Sequence, residues 1–367
     1  MHKVCGLVQY TYLSGLAFGY TITTSISMVA VLESNCYHKK VYRAACEYLY
    51  NPYMIAMGII EILLSQTPNL HKMSWISAIA AIMSFGHASI GMGLSFAKVV
   101  SGQGARTALT GVEAGLDQLT ASDKVWTIFR AVGDLVFACT YAEILIEIQD
   151  ILKSSSPENK VMKKANMIAI LTSTTFYMMC GCLGYAAMGD QAPGNMLTGF
   201  GFYEPFWLID LANIFTVVHL LGAYQVLVYG HVLSQPVFSA LETWASLVWP
   251  DSKFVTIEHS IRIGKSISFR GNLLRLTVYV VVVTVLAMAF PFFKNILALF
   301  GAIGYWPMTI YFPVEMYIAR KKIQWGSLRW FFLWLLNLAC LLVAIAVACG
   351  AIEGLNHALK NSKPFKF

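Results

Sequence analysis

The sequence predicts an all-α polytopic membrane protein, and three features of its composition and pattern support this fold class. Of its 367 residues, 57% are hydrophobic and only 12% are charged, whereas a soluble globular domain carries about 25% charged residues. The apolar residues form runs of about the length that a helix needs to cross a bilayer. The runs lack the alternating pattern of membrane β-strands. This excludes a soluble globular enzyme, a disordered chain and a nucleic-acid-binding module.

Nine runs are candidates for transmembrane helices, the structure in which backbone polar groups are hydrogen-bonded within their own segment. The first, third, fifth and last three runs contain no Asp, Glu, Lys or Arg. The second contains Glu61, the sixth contains Asp210, and the fourth is the most charged. In chain order the predicted spans are 4–32, 48–68, 73–97, 125–149, 165–189, 205–236, 276–293, 295–314 and 330–352. They predict one transmembrane domain over residues 1–367.

The basic residues of the loops predict the orientation, because Lys and Arg are enriched in cytoplasmic loops. With the N-terminus in the cytoplasm, the basic loops 150–164, 237–275 and 315–329 are cytoplasmic, and the C-terminus is extracellular. The outer loop 33–51 is the exception, because it carries Lys39, Lys40 and Arg43. Cys36 and Cys46 lie in the same loop, ten positions apart. Outside a membrane such a pair forms a disulfide, and two unpaired thiols are the alternative.

The fourth span concentrates the ionisable residues that are costly inside a membrane. Gly133 and Asp134 lie near its middle, and two interpretations stay open. A broken transmembrane helix exposes backbone groups that can hold the carboxylate or ammonium of an amino acid. A continuous, tightly packed helix with Asp134 near its outer mouth is the alternative. Glu147 and Asp150, beside Lys153, are expected to be interfacial.

The sixth span places Asp210 and Asn213 three positions apart, on one face of a helix. Asp210 could relay a proton, and His219 titrates near neutral pH. A satisfied interhelical hydrogen bond is the alternative for each. Cys180 and Cys182 are expected to be helix-packing residues. No catalytic constellation is visible, so we expect neither an enzyme nor a metal site.

Several segments resemble the plant amino acid permeases of the amino acid/auxin permease family, in the family's order and over nearly the whole chain. The segments that carry the resemblance are 19–22, 64–69, 145–150, 157–160, 180–187, 201–207, 219–225 and 311–316. The resemblance implies a proton-coupled symporter that imports amino acids across the plasma membrane, driven by the proton gradient without a bound cofactor. It also implies an inverted-repeat fold with two broken helices that meet at the midplane.

The resemblance also assigns candidate residues by position. Tyr20 and Thr24 would lie on the family's third helix, and the second broken helix would break between Asp134 and Tyr141. The substrate candidates are Tyr20, Thr24, Gly133, Asp134, Phe137, Ala138, Cys139, Tyr141, Tyr224, Tyr305 and Trp306. The candidates for the proton path are Asp134, Asp210 and His219.

The chain departs from the family pattern in ways that leave a second interpretation open. The family's first two helices have no counterpart, Tyr12 stands where Asn is usual, and Glu61 stands where Gln is usual. Glu143 adds a charge, and eight residues intervene at 227–234. A transport-dead truncated permease is therefore the alternative: an incomplete gene model, a pseudogene product or a regulatory partner of full-length permeases. We also expect mixed membrane topology for the isolated chain.

Overall fold

The computed structural model describes residues 2–39, 46–65, 74–105, 107, 120–138, 145, 157–189, 192–193, 195–200, 205–229, 259–263, 267–271, 273–290 and 293–361. The helices in this part are α1 His2–Lys39, α2 Asn51–Ser65, α3 Ser74–Val100, α4 Ala121–Ala138, α5 Glu158–Met188, α6 Phe206–Tyr229, α7 Leu273–Ala289, α8 Phe293–Gly304, α9 Phe312–Lys321 and α10 Leu328–Asn361. A 3-10 turn, Met196–Phe200, precedes α6. A π-helical segment, Tyr305–Tyr311, joins α8 to α9.

Five helices of the described part are long and apolar enough to cross a membrane. They lie at Thr11–Lys39, Trp75–Val100, Asn159–Met188, Phe206–Gln225 and Leu328–Lys360. Two shorter apolar helices lie at Asn51–Leu64 and Thr277–Ala289. This helical architecture confirms the predicted fold class. The number of nine spans, the single domain and the inverted repeat stay predictions.

Helix α1 is the enclosed helix of the bundle. It packs against α2, α6, α7 and α8. In its most apolar stretch of 18 residues, 61% of the residues are buried, whereas in the corresponding stretch of α5 only 6% are buried. An apolar cluster joins α1 to its neighbours through residues such as Ala17, Met54, Tyr224 and Val280. Because α1 is surrounded by helices, polar side chains along it face protein.

Helices α4, α8 and α10 meet in a contact built on small residues, which we call the glycine seam and define by Gly133, Gly301 and Gly350. A Cβ added at Gly133 would lie 2.8 Å from Val347 Cγ1 and 3.0 Å from Ala298 Cβ. Added Cβ atoms at Gly301 and Gly350 would lie 3.1 Å from Phe137 Cβ and 2.7 Å from Phe129 Cβ, respectively. Only residues without a Cβ allow the three backbones to approach this closely.

Several helix ends differ from the predicted spans. Helix α1 continues to Lys39 rather than ending at residue 32, so Glu33 and Cys36 are helical and not in a loop. The reason is that Asn35, beyond the apolar run, hydrogen-bonds both its own helix and Asp210 of α6. The span predicted at 295–314 lies in a helical stretch that runs from Phe293 through the π segment to Lys321. The ends predicted at 149 and 236 lie outside the described residues.

A short hairpin lies within the loop predicted at 237–275. Strand β1, His259–Ile263, pairs antiparallel with β2, Ile267–Gly271. Its register places His259 opposite Gly271 and Ile263 opposite Ile267. The hairpin lies between the membrane helices α6 and α7, in a segment where no secondary structure was predicted.

Candidate functional site

Helix α1 carries a row of buried hydroxyl groups. Thr24, Ser25 and Ser27 have no exposed surface. Ser25 Oγ donates to the Ile22 carbonyl at 2.7 Å, whereas Thr24 Oγ1 and Ser27 Oγ have no hydrogen-bond partner among the described residues. A buried polar group without a partner costs about 1–3 kcal/mol. The two hydroxyls are therefore placed to hydrogen-bond a polar ligand or water in the interior.

Tyrosine and phenylalanine side chains surround this face of α1. Tyr20, one turn before Thr24, packs against two apolar clusters, and so does Tyr279 of α7. The first cluster contains Tyr224, which is 1% exposed. In the second, the rings of Tyr12 and Phe137 are 5.8 Å apart. The structure thus brings the predicted substrate residues Tyr20, Phe137 and Tyr224 into one continuous aromatic region, which Tyr12 also occupies.

A carboxyl–amide pair lies between α2 and α6. Glu61 has no exposed surface and Gln225 is 2% exposed. Gln225 Nε2 donates to Glu61 Oε2, and both Oε1 atoms lack a partner in the described part of the chain. The sequence drew attention to Glu61 but did not show its partner. The only signal was that Gln225 is an amide inside an apolar run.

Asp210 makes an interhelical hydrogen bond near one end of the α1–α6 contact. Asn35 Nδ2 donates to Asp210 Oδ2 at 2.9 Å. Next to it, the rings of His38 and Phe206 stack at 3.9 Å. Cys36 forms a disulfide with Cys46, with 6.0 Å between the Cα atoms. Asp210 Oδ1 is buried without a hydrogen-bond partner among the described residues, so its place in the proton path stays a prediction. The disulfide and the ring stack tie down the end of α1.

His219 faces a different neighbour. Its Nδ1 lies 2.9 Å from the Ala80 carbonyl oxygen of α3, and its ring is 5.8 Å from that of His87. Nine positions at about 100° each separate Asp210 from His219, so the two side chains point to opposite sides of α6. Asp210 and His219, two residues of the predicted proton path, are therefore not in direct contact.

Helix α4 is continuous over the first part of the predicted break, as far as Ala138. Asp134 to Ala138 are helical, and the remainder of the predicted break, including Cys139, Tyr141 and Glu143, lies outside the described residues. Gly133 is buried in the glycine seam, whereas Asp134 and Ala138 are exposed. The physical reason is packing: the absence of a Cβ at Gly133 allows close contact with α8 and α10 rather than a distorted backbone. The helix therefore extends to Ala138, and a break between residue 139 and Tyr141 stays a prediction.

Tyr305 and Trp306 lie in the π-helical segment and bond to α10. Trp306 Nε1 donates to Asn337 Oδ1 at 2.6 Å, and Tyr305 Oη lies 3.8 Å from Cys340 Sγ. Pro307 lacks an N–H, and the N–H of Phe312 bonds to the Pro307 carbonyl five positions earlier. The Tyr305 hydroxyl and the Trp306 N–H thus hold this segment against α10.

Comparison with known proteins gives a consistent result over the whole chain. The family model described as "Transmembrane amino acid transporter protein" matches residues 1–355. Amino acid permease 6 of Arabidopsis thaliana is 51% identical over 99% of this chain and 75% of its own length. Amino acid permeases 8 and 1 of the same organism are 52% and 50% identical over 99% of the chain. The matched regions span 76% and 74% of the lengths of these two permeases. No solved structure matches the chain.

Proposed function

The chain belongs to the family of transmembrane amino acid transporter proteins, and from this premise we propose that it is a proton-coupled permease importing amino acids across the plasma membrane. The observation that carries the proposal is 50–52% identity to three named amino acid permeases over 99% of the chain. Because these relatives are named as transporters, we place the chain with transporters rather than enzymes. It would require no cofactor beyond the proton gradient.

The buried α1 face is the proposed substrate-binding region. An amino acid carries an ammonium and a carboxylate, and both need hydrogen-bonding groups when they leave water. Thr24 and Ser27 offer hydroxyls without protein partners among the described residues, and Tyr20 and Tyr224 supply aromatic walls. Ligand pockets typically combine such an apolar lining with a few placed polar groups. Tyr12 would reduce the space available for the substrate side chain.

Uptake of labelled amino acids by a yeast strain that lacks its own permeases tests the proposed transport. We expect uptake above the empty-vector level that rises when the medium is acidified and disappears with a protonophore, because the proton gradient would drive accumulation. Uptake that is insensitive to pH and protonophore would reject proton coupling. A surface-expressed chain without uptake of any amino acid would reject transport.

The proposed orientation places the N-terminus in the cytoplasm and the C-terminus outside, with the Cys36–Cys46 disulfide on the extracellular side. A membrane-impermeant thiol reagent, applied to intact cells after mild reduction, should therefore label Cys36 and Cys46. The matched control is a Cys36→Ser, Cys46→Ser double variant, which should lose that labelling. Labelling that requires membrane permeabilisation would reverse the assignment.

A second candidate function is association with full-length permeases of the same family. The chain spans 74–76% of the length of the three relatives named above. A regulatory partner would bind a longer permease without carrying substrate itself. Co-purification of the tagged chain with a co-expressed full-length permease in detergent tests this role. Recovery of the chain alone, under conditions where it transports, would exclude it.

A further inference from the structure

The carboxyl–amide pair of Glu61 and Gln225 is one hydrogen-bond donor short when the carboxyl is ionised. In that state Glu61 accepts a hydrogen bond from Gln225 Nε2, and two acceptor atoms, Glu61 Oε1 and Gln225 Oε1, are left buried without donors among the described residues. A single proton on Glu61 Oε1 provides the missing donor, because a neutral carboxylic acid can donate to an amide carbonyl. One proton thus satisfies two buried atoms at once.

The surroundings of the pair hold no compensating charge in the described part of the chain. Helix α2 packs against α1, α6 and α7. The other titratable side chains in or against this core are Tyr20 of α1, Tyr50 just before α2, Tyr224 of α6 and Tyr279 of α7. These phenols are neutral at physiological pH. A charged carboxylate inside a membrane costs several kcal/mol unless it is paired. The pair is therefore better matched to an exchangeable proton than to a fixed negative charge.

The pair lies close to the buried α1 face, the proposed substrate-binding region. Gln225 follows Tyr224 directly in α6, and Tyr224 packs in the same core cluster as Ala17, Phe18 and Ile22 of α1. Loss of the proton would weaken the α2–α6 contact beside the buried α1 face. A conformational change that admits water to the pair could therefore be linked to its protonation.

We propose that Glu61 and Gln225 form a proton-binding site in which a proton from water adds to Glu61 Oε1, is held against Gln225, and leaves again as the carboxylate re-forms. The carboxyl is neutral when loaded and anionic when empty, and no other bond changes. The role of this site in transport rests on the proposed proton-coupled function, whereas proton binding itself does not.

Infrared difference spectroscopy of the purified full chain during a pH titration tests the site directly. The wild type should show a C=O stretch of a protonated carboxyl that disappears as pH rises, and Glu61→Gln should lack this band. Glu353→Gln, on α10, is the matched control and should keep it. A titrating band of equal size in wild type and Glu61→Gln would overturn the proposal, as would a wild type without any titrating carboxyl band.

A second variant guards against loss of folding in Glu61→Gln. The exchange variant Glu61→Gln with Gln225→Glu keeps one carboxyl and one amide at the same contact, and it should regain a titrating band. Absence of that band in a folded exchange variant would also count against the site.

Uptake measurements on the same variants separate the two proposals. If proton binding at Glu61 serves transport, Glu61→Gln should flatten the pH dependence of uptake while keeping exchange of labelled for unlabelled amino acid. If no variant transports but the band titrates, the proposed function fails and the proton-binding site stands. An unchanged pH dependence in Glu61→Gln would overturn the role in transport.

Discussion

The polar core and the glycine seam are built on opposite principles. The polar core, which we define by Thr24, Ser27, Glu61, Tyr224 and Gln225, contains buried oxygen atoms without partners among the described residues. The glycine seam joins α4, α8 and α10 by close backbone approach around Gly133, Gly301 and Gly350. Tight packing of small residues stabilises one arrangement, whereas incompletely hydrogen-bonded polar groups carry a cost that binding can remove.

This difference indicates separate roles for the two regions, with ligand binding in the polar core and structural packing in the glycine seam. Unsatisfied buried polar groups are rare in native proteins and call for an explanation such as a ligand or unseen water. In the described part of the chain most of these groups lie along α1, α2 and α6, with others at Thr277 of α7 and Thr309 of the π segment. We therefore place the candidate binding chemistry along the first three helices. The seam contains Gly133, which the sequence had placed in the substrate site, and its geometry shows a packing role.

Replacement of Gly133 by leucine should have the largest effect on stability. The new side chain would collide with Val347 and Ala298, since even a Cβ would lie within 2.8 Å and 3.0 Å of them. Overpacking of this kind costs about 1–3 kcal/mol or more. We expect a marked loss of folded protein and a lower melting temperature in detergent.

The matched control for the seam is Gly93→Leu on α3. Gly93 is exposed, and a Cβ added there would meet nothing within 4 Å. Its melting temperature should stay near that of the wild type. Equal destabilisation by Gly93→Leu and Gly133→Leu would show that the seam is not tightly packed.

Replacement of Gln225 by leucine should have the next largest effect. It removes the amide donor of Glu61, and a buried polar group left without its hydrogen-bond partner costs about 1–3 kcal/mol. We expect a lower midpoint in thermal unfolding followed by size-exclusion chromatography. The double variant Glu61→Leu, Gln225→Leu should recover much of the loss, because no buried polar group is then left unpaired. A double variant less stable than the single one would contradict this account.

A smaller effect is expected at the edge of the seam, where Trp306 Nε1 donates to Asn337 Oδ1 at 2.6 Å. Asn337→Leu leaves the indole N–H with only the longer contact to the Asn337 carbonyl at 3.3 Å. The loss should be about 1 kcal/mol, together with increased accessibility of Cys340 to thiol reagents. Unchanged labelling and melting temperature would show that this bond does not hold the π segment against α10.

The smallest effect is expected at the first turn of α4, which leads into the seam. The Thr120 hydroxyl and N–H hydrogen-bond the exposed Asp123 carboxylate, and these bonds lower the pKa of Asp123. Because the folded-state pKa is depressed, the contribution is present at neutral pH and is lost as pH falls through the folded pKa. Hydrogen exchange of this turn should speed up in Asp123→Asn at neutral pH and match wild type in acid. A difference between the two proteins that persists in acid would contradict this.

The sequence was sufficient for the features that depend on local pattern. Runs of apolar residues predicted the helical membrane fold. The family resemblance, rather than local pattern, assigned Tyr20, Thr24 and Tyr224, which lie in the buried region around α1. The close packing at Gly133 could not be predicted, because it depends on Val347 and Ala298, which are remote in sequence. Likewise, Glu61 and Gln225 are 164 positions apart, and a single sequence gives no signal that pairs them.

The end of α1 also depends on a contact between residues that are remote in sequence. Hydropathy indicated an end near residue 32, but hydrogen bonding between Asn35 and Asp210 supports helix up to Lys39. Polar residues at a span end look like a loop when their partner on another helix is unknown.

The polar core around α1 is the central claim, and uptake by Thr24→Val tests it most directly. Valine keeps the shape of threonine and removes only the hydroxyl, which at Thr24 is buried without a partner among the described residues. The control is Thr23→Val at the preceding position, where the threonine hydroxyl donates to the Gly19 carbonyl at 2.9 Å. The account predicts that Thr24→Val raises the substrate KM at least about tenfold, equivalent to about 1.4 kcal/mol, while Thr23→Val keeps the wild-type KM. Wild-type KM in a folded, surface-expressed Thr24→Val would contradict the account.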